Sequence, residues 1–160
     1  MGIHRLYRDQ TLPIGVDLAW QFFSDPANLA EITPPWLKFR FCSQLPERMH
    51  PGLIVEYRIT LPPGPPVRWV TEITHVQEPC FFVDEQRFGP YRFWHHLHRF
   101  TPVDGGVRME DIVHYQLPFS PLGDWILGWW IQRKLKAIFD YRRQYLIQCF
   151  QVAAGEGNGP

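Results

Sequence analysis

The segment from Pro121 to Phe150 limits the fold more than any other, because it is the one long stretch that keeps helical periodicity. At about 100° per residue, Leu127, Ile131, Leu135, Ile138, Phe139, Tyr145, Leu146 and Cys149 share an arc of roughly a third of the circumference. Ser120 is placed to cap the first turn, and Pro121 suits the first helical position. Arg133, Lys136, Asp140 and Arg143 occupy the opposite, solvated side. Arg142 breaks the pattern, since a guanidinium inside the apolar arc needs a partner or a ligand.

The chain before this helix reads mainly as strands. Residues 3–12 alternate loosely and end at Pro13. After Gly15, Val16, Trp20 and Phe23 fall at helical spacing, and Asp25-Pro26 can cap and open a second short helix that runs to Ile32. Alternation then predicts strands at Leu37–Leu45, Leu53–Leu61, Val67–Val76, Phe81–Phe88, Tyr91–Phe100 and Val107–Leu117, separated by Pro- and Gly-rich turns. An antiparallel sheet of about seven strands has one face to cover, and only the final helix is long and apolar enough to cover it. The expected fold is α+β: a helix-grip arrangement in which a curved sheet wraps a long C-terminal helix, with two short helices after the first strand. One domain is expected over residues 1–150, followed by a mobile tail at 151–160.

Charge and cysteine content exclude several roles. Lys plus Arg and Asp plus Glu are both 16, so no basic surplus exists to neutralise nucleic acid. The three cysteines, Cys42, Cys80 and Cys149, are odd in number and widely spaced, which fits a reducing cytoplasmic setting better than a disulfide framework. The longest uncharged apolar run, Trp125–Ile131, is too short to span a bilayer, and the first residues contain no apolar secretion core. Aromatics make up 16% of the chain, enough to fill a large core or line a cavity for an apolar ligand.

The polar groups that could serve such a cavity come from one hairpin. A two-residue turn at Asp104-Gly105 sets Val103 opposite Gly106. Counting back pairs Arg99 with Glu110 and His95 with His114 on one face; on the other it pairs Phe100 with Met109, His98 with Asp111, His96 with Val113 and Trp94 with Tyr115. The aromatic-rich face is the inner one, so Trp94, His96, His98, Asp111 and Tyr115 point at the helix that bears Arg142. The Gly89-Pro90 loop allows two registers, and the favoured one places Asp84 opposite His96. Tyr57 on its own strand and Ile138 on the helix complete the ligand-facing set.

The segments FFSDPANLAEITPPWLKFRF, FVDEQRFGPYRFWHHLHRF, DIVHYQLPFSPLG and IFDYRR resemble a small bacterial subgroup of the SRPBCC superfamily. That superfamily contains START lipid-transfer domains, plant pathogenesis-related allergens and polyketide cyclases or aromatases. The resemblance runs from about residue 5 to residue 150 and implies a hydrophobic cavity between sheet and C-terminal helix. It implies no catalytic residue. Some members of the subgroup are joined to short-chain epimerase-like domains, which this chain lacks.

Three functions follow as expectations. The first is a cofactor-free protein that binds a small or medium apolar or amphipathic molecule, lipid-like or polyketide-like, with no nucleic-acid or integral-membrane partner. The second is a cyclase or dehydratase that uses a His98/Asp111 dyad as base, with Tyr115 or Arg142 polarising a carbonyl. The third is a protein-interaction module that presents Trp125, Trp129 and Trp130. His96 and His98 have the H-x-H spacing of β-scaffold metal sites, with Asp111 or Asp84 available as third ligand. The plainer expectation is that these histidines hydrogen-bond a buried carboxylate and a tyrosine, with no metal.

Overall fold

The computed structural model describes residues 2–118 and 122–156, with side chains described for 2–118 and 128–150. A single antiparallel sheet is built from β1 (His4–Leu12), β2 (Arg40–Phe41), β3 (Ile54–Thr60), β4 (Pro66–Gln77), β5 (Phe81–Phe88), β6 (Phe93–Val103) and β7 (Gly106–Gln116). Its spatial order is β1-β7-β6-β5-β4-β3-β2, so only β1 leaves sequence order to pair with the last strand. Two helices accompany it, α1 (Val16–Ser24) and the long α2 (Leu122–Glu156). This is the α+β helix-grip architecture expected from the alternation and the one long apolar helix. The expected cap and first turn, Ser120 and Pro121, lie outside the described residues, as does the side chain of Trp125.

The β6–β7 hairpin has the register counted from its turn, with Val103 opposite Gly106 and His98 opposite Asp111. Two glycines hold it. Gly105 has φ +82°, a left-handed conformation, and a Cβ on Gly106 would collide with the Leu12 carbonyl oxygen. The β5–β6 ladder sets Asp84 opposite His96 and stops at Glu85 opposite His95. Beyond that point the Gln86 amide substitutes for ladder bonds: Nε2 donates to the Tyr91 carbonyl at 2.6 Å, and Oε1 accepts from the Tyr91 N–H at 3.2 Å.

Two expected elements are shorter than the patterns suggested. Instead of a strand over Leu37–Leu45, a 3-10 turn at Pro35–Leu37 ends in Lys38 at φ 48°, and only Arg40–Phe41 pairs with β3. Pro34 and Pro35 pre-set the turn, and the left-handed Lys38 redirects the chain before a ladder can start. The alternation was nonetheless real, since Leu37, Phe39 and Phe41 are more buried than Lys38 and Arg40. Likewise the helix expected to reach Ile32 is a single 3-10 turn, Pro26–Leu29, whose cap Asp25 accepts from Ala27 N–H at 2.9 Å as anticipated.

The buried face of α2 carries Leu135, Phe139, Arg142, Leu146 and Phe150. Cys149, expected on this arc, is exposed, because the stripe drifts as the helix continues to Glu156. Two apolar clusters flank the middle of the helix. One gathers Trp20, Phe23, Phe82, Phe100, Met109, Leu146 and Phe150; the other gathers Trp69, Tyr91, Trp94, Tyr115, Leu135 and Phe139. Between them sits a polar island.

Candidate functional site

The island is made by three neighbouring strands and the helix. β5 contributes Asp84, β6 contributes His96 and His98, β7 contributes Asp111, and α2 contributes Arg142. Period-two alternation puts His96 and His98 on one face, and the two ladders place a carboxylate beside them from each side. His96, His98, Asp111 and Arg142 are all under 9% exposed.

The hydrogen bonds cross the expected pairing. His98 Nε2 lies 2.8 Å from Asp84 Oδ2, and His96 Nε2 lies 2.9 Å from Asp111 Oδ1. The anticipated His98/Asp111 dyad is therefore replaced by His98/Asp84 and His96/Asp111. His98 Nδ1 does approach Asp111 Oδ1 at 3.1 Å, but out of line for a hydrogen bond. The two imidazole rings are tilted by 35° with centroids 3.7 Å apart, and His98 stacks on Phe82 at 4.1 Å.

Burial and neighbours separate the two histidines electrostatically. Burial pushes the His96 imidazole down, the adjacent His98 adds to that, and Asp84 and Asp111 restore only part of it, so its pKa is lowered and the neutral ring is favoured. Burial also works against His98⁺, yet Asp111 and Asp84 together outweigh it and raise its pKa. For the carboxylates, burial pushes Asp111 up, but His96, His98 and Arg142 reverse that and hold it well below the usual range. Asp84 is likewise lowered against its burial by both histidines and the Trp94 indole.

Arg142 is incompletely paired. Its Nη1 is 3.6 Å from Asp111 Oδ1, and neither Nε nor Nη1 has a hydrogen-bond partner, although the guanidinium lies 5.0 Å above the Phe139 ring.

A cavity of about 170 Å³ opens between sheet and helix beside this island. Of the residues expected to face ligand, Tyr57, Asp84, Trp94, His96, His98, Ile138 and Arg142 line it. Asp111 and Tyr115 do not. Asp111 stands behind the imidazoles, and Tyr115 is packed among His4, Tyr91 and Trp94. Thr71 is a polar wall residue that sequence reasoning passed over; its Oγ1 is 3.2 Å from the Tyr57 hydroxyl. Its signal was available, since it shares parity with the inward-facing Trp69 and Ile73 on β4. Trp129, by contrast, is 71% exposed and well outside the cavity.

The same architecture occurs in solved structures at low identity. Ara h 8.0201 superposes with a TM-score of 0.61 at 16% identity, over 92% of this chain and 99% of its own. A protein from Arthrobacter aurescens gives 0.68 at 15% identity, over 92% of each chain. The nucleoside-diphosphate sugar epimerase from Corynebacterium glutamicum gives 0.64 at 24% identity over 89% of this chain, but this chain spans 28% of that one. No family model and no curated protein sequence matches. The likeness establishes the helix-grip fold. Among the described residues, no helix is long and apolar enough to cross a membrane.

Proposed function

We propose that the protein, as a member of the small bacterial SRPBCC subgroup, binds a small, largely apolar molecule in this cavity and seats its polar head on Arg142. The observation that carries this reading is a guanidinium 7% exposed, lining a largely apolar cavity with two N–H groups unpaired. A buried donor without an acceptor is costly, and a ligand carbonyl or carboxylate removes the cost. A void of about 150 Å³ lined by apolar side chains accommodates benzene. The volume therefore favours a single aromatic ring or short chain over an extended lipid. The three free, exposed thiols suit a reducing, cytoplasmic setting.

The test is a thermal-shift and native mass-spectrometry screen of aromatic and short-chain acids, each beside its methyl ester and its hydrocarbon. Acids and carbonyl compounds are expected to bind, and Arg142→Met is expected to weaken them at least about tenfold, the loss of one charge-assisted hydrogen bond. Equal affinity for the hydrocarbon, or an unaffected variant, would overturn the role of Arg142. No binder at all would overturn the ligand reading.

One observation favours a second reading as a cyclase or dehydratase. His96 lines the cavity and hydrogen-bonds Asp111, and its lowered pKa favours the neutral ring, which is the arrangement of a general base held by a carboxylate. In that case His96→Gln abolishes turnover and leaves affinity nearly intact.

A further inference from the structure

We infer that Asp84, His96 and His98 form a site for a divalent transition-metal ion at the polar end of the cavity, with Asp111 as the carboxylate that orients both imidazoles. One donor atom from each of the three proposed ligands lies within 4.8 Å of the others. Asp84 Oδ2 is 2.8 Å from His98 Nε2 and 3.3 Å from His96 Nδ1. Those edges are close to the roughly 3 Å separations between ligands that surround an ion with bonds of about 2.0–2.2 Å. Two imidazoles and one carboxylate make a mixed nitrogen and oxygen set that suits zinc, cobalt or ferrous iron. All three ligands line the cavity, so the remaining coordination positions face it.

Counting protons on the ring nitrogens separates a metal site from a plain hydrogen-bond network. Each imidazole presents one nitrogen to Asp84 and the other to Asp111. Donation by all four nitrogens requires two imidazolium rings with centroids 3.7 Å apart, which their mutual repulsion opposes. With one ring neutral, His96 Nε2 donates to Asp111, and the bare lone pair of Nδ1 then opposes Asp84 Oδ2 at 3.3 Å. An ion between them turns that repulsion into two bonds. It also displaces the proton of His98 Nε2 to solvent, which leaves the His98 N–H at Nδ1, the buried nitrogen that has no hydrogen-bond partner and lies 3.1 Å from Asp111. His96 then donates to Asp111 Oδ1, the His98 Nδ1–H lies 3.1 Å from the same oxygen, and both rings offer their other nitrogens to the metal, close to the carboxylate–histidine–metal arrangement found around bound ions. Arg142, 3.6 Å from Asp111, offsets the charge of that second carboxylate.

This inference stands apart from the identity of any cavity ligand. The experiment uses the full chain, stripped with EDTA and dialysed, titrated with Zn²⁺ by calorimetry and with Co²⁺ by visible absorption. One equivalent of each is expected to bind, with a cobalt spectrum of low coordination number. His96→Ala should abolish that equivalent. Asp111→Asn should weaken it by about 10–100-fold and alter the cobalt spectrum. Because those variants remove core contacts, two controls accompany them: His98→Gln, which keeps the shape, and histidine NMR on the wild-type protein, where Co²⁺ should broaden the His96 and His98 ring signals before those of the more exposed His50 and His75. Failure to bind would overturn the site. So would binding that survives both histidine substitutions or that broadens the exposed rings first.

Discussion

Arg68 and Arg142 both sit beside a carboxylate, and the quality of their pairing runs opposite to what burial would require. Arg68 grips Glu56 with Nε at 2.7 Å and Nη2 at 3.0 Å, while its side chain is 53% exposed. Water and salt screen such a pair, so its good geometry contributes little. Arg142 is buried, where an unpaired charge is expensive, yet it reaches Asp111 only at 3.6 Å and leaves two N–H groups unsatisfied. Complete pairing at the surface and incomplete pairing in the interior show that the interior arrangement is not tuned for stability alone. On the proposed function, a ligand supplies the missing acceptor.

The largest effect that would sharpen this contrast is expected at Asp111, the oxygen shared by His96, His98 and Arg142. Asp111→Asn should lower unfolding free energy by about 3–5 kcal/mol, measured by urea denaturation, because it strands buried positive charge. A loss below about 1 kcal/mol, the usual scale of an exposed pair, would erase the distinction between the two regions.

A smaller effect appears with pH in the metal-free protein. Asp111 and Asp84 are held below the ordinary carboxylate range, so each adds stability that is fully present above about pH 4 and is lost as pH falls toward its lower folded-state value. His96, also lowered, acts in the same direction, adding stability above about pH 6.5 that is lost as pH falls. His98, raised, stabilises below about pH 6.5 and loses that contribution as pH climbs through its folded value. The two histidines oppose each other, which leaves the carboxylates to set the acid limb. Urea midpoints should therefore fall steeply below about pH 4, and Asp111→Asn should flatten that fall. An unchanged slope in the variant would remove Asp111 from the cause.

The smallest effect belongs to the surface. Arg68→Gln should leave the thermal midpoint close to that of the parent, and the residual difference should vanish in about 1 M salt, where the screening length shrinks to about 3 Å. A salt-resistant destabilisation would place Arg68 with the interior pairs.

The parts of the site legible in the sequence are those fixed by local geometry. The turn at Asp104-Gly105 determines the β6–β7 register, and from that single fact His96, His98 and Asp111 fall on one face. Arg142 was visible as a polar residue out of phase with its helix. The cross-connection of the two histidines was not legible, because it depends on the lateral offset of β5 and on ring rotation, which no spacing encodes. The strand expected at Leu37–Leu45 failed for a related reason. Alternating burial reports which side chains face inward, but it does not report whether the backbone has a neighbour to pair with. Thr71 was readable by parity and was passed over because threonine on a strand is ordinary.

The short β2 bears on how the edges of the sheet are covered. A sheet of this order ends at β1 and at the two-residue β2, which leaves most of β3 without a partner strand, and a long bare margin is a template for pairing with another chain. Along β3, β2 supplies only Arg40 and Phe41, after which the Cys42 and Ser43 amides turn in to the Glu56 carbonyl and Ser43 Oγ accepts the Glu56 N–H. Pro66 closes the neighbouring end of β4. Along β1, Arg143 reaches from the helix to the Asp9 carbonyl. Each margin is occupied by side chains and turns instead of a further strand, so the same irregularity that defeated the alternation rule near Leu37 leaves little ladder for an intruding strand to extend.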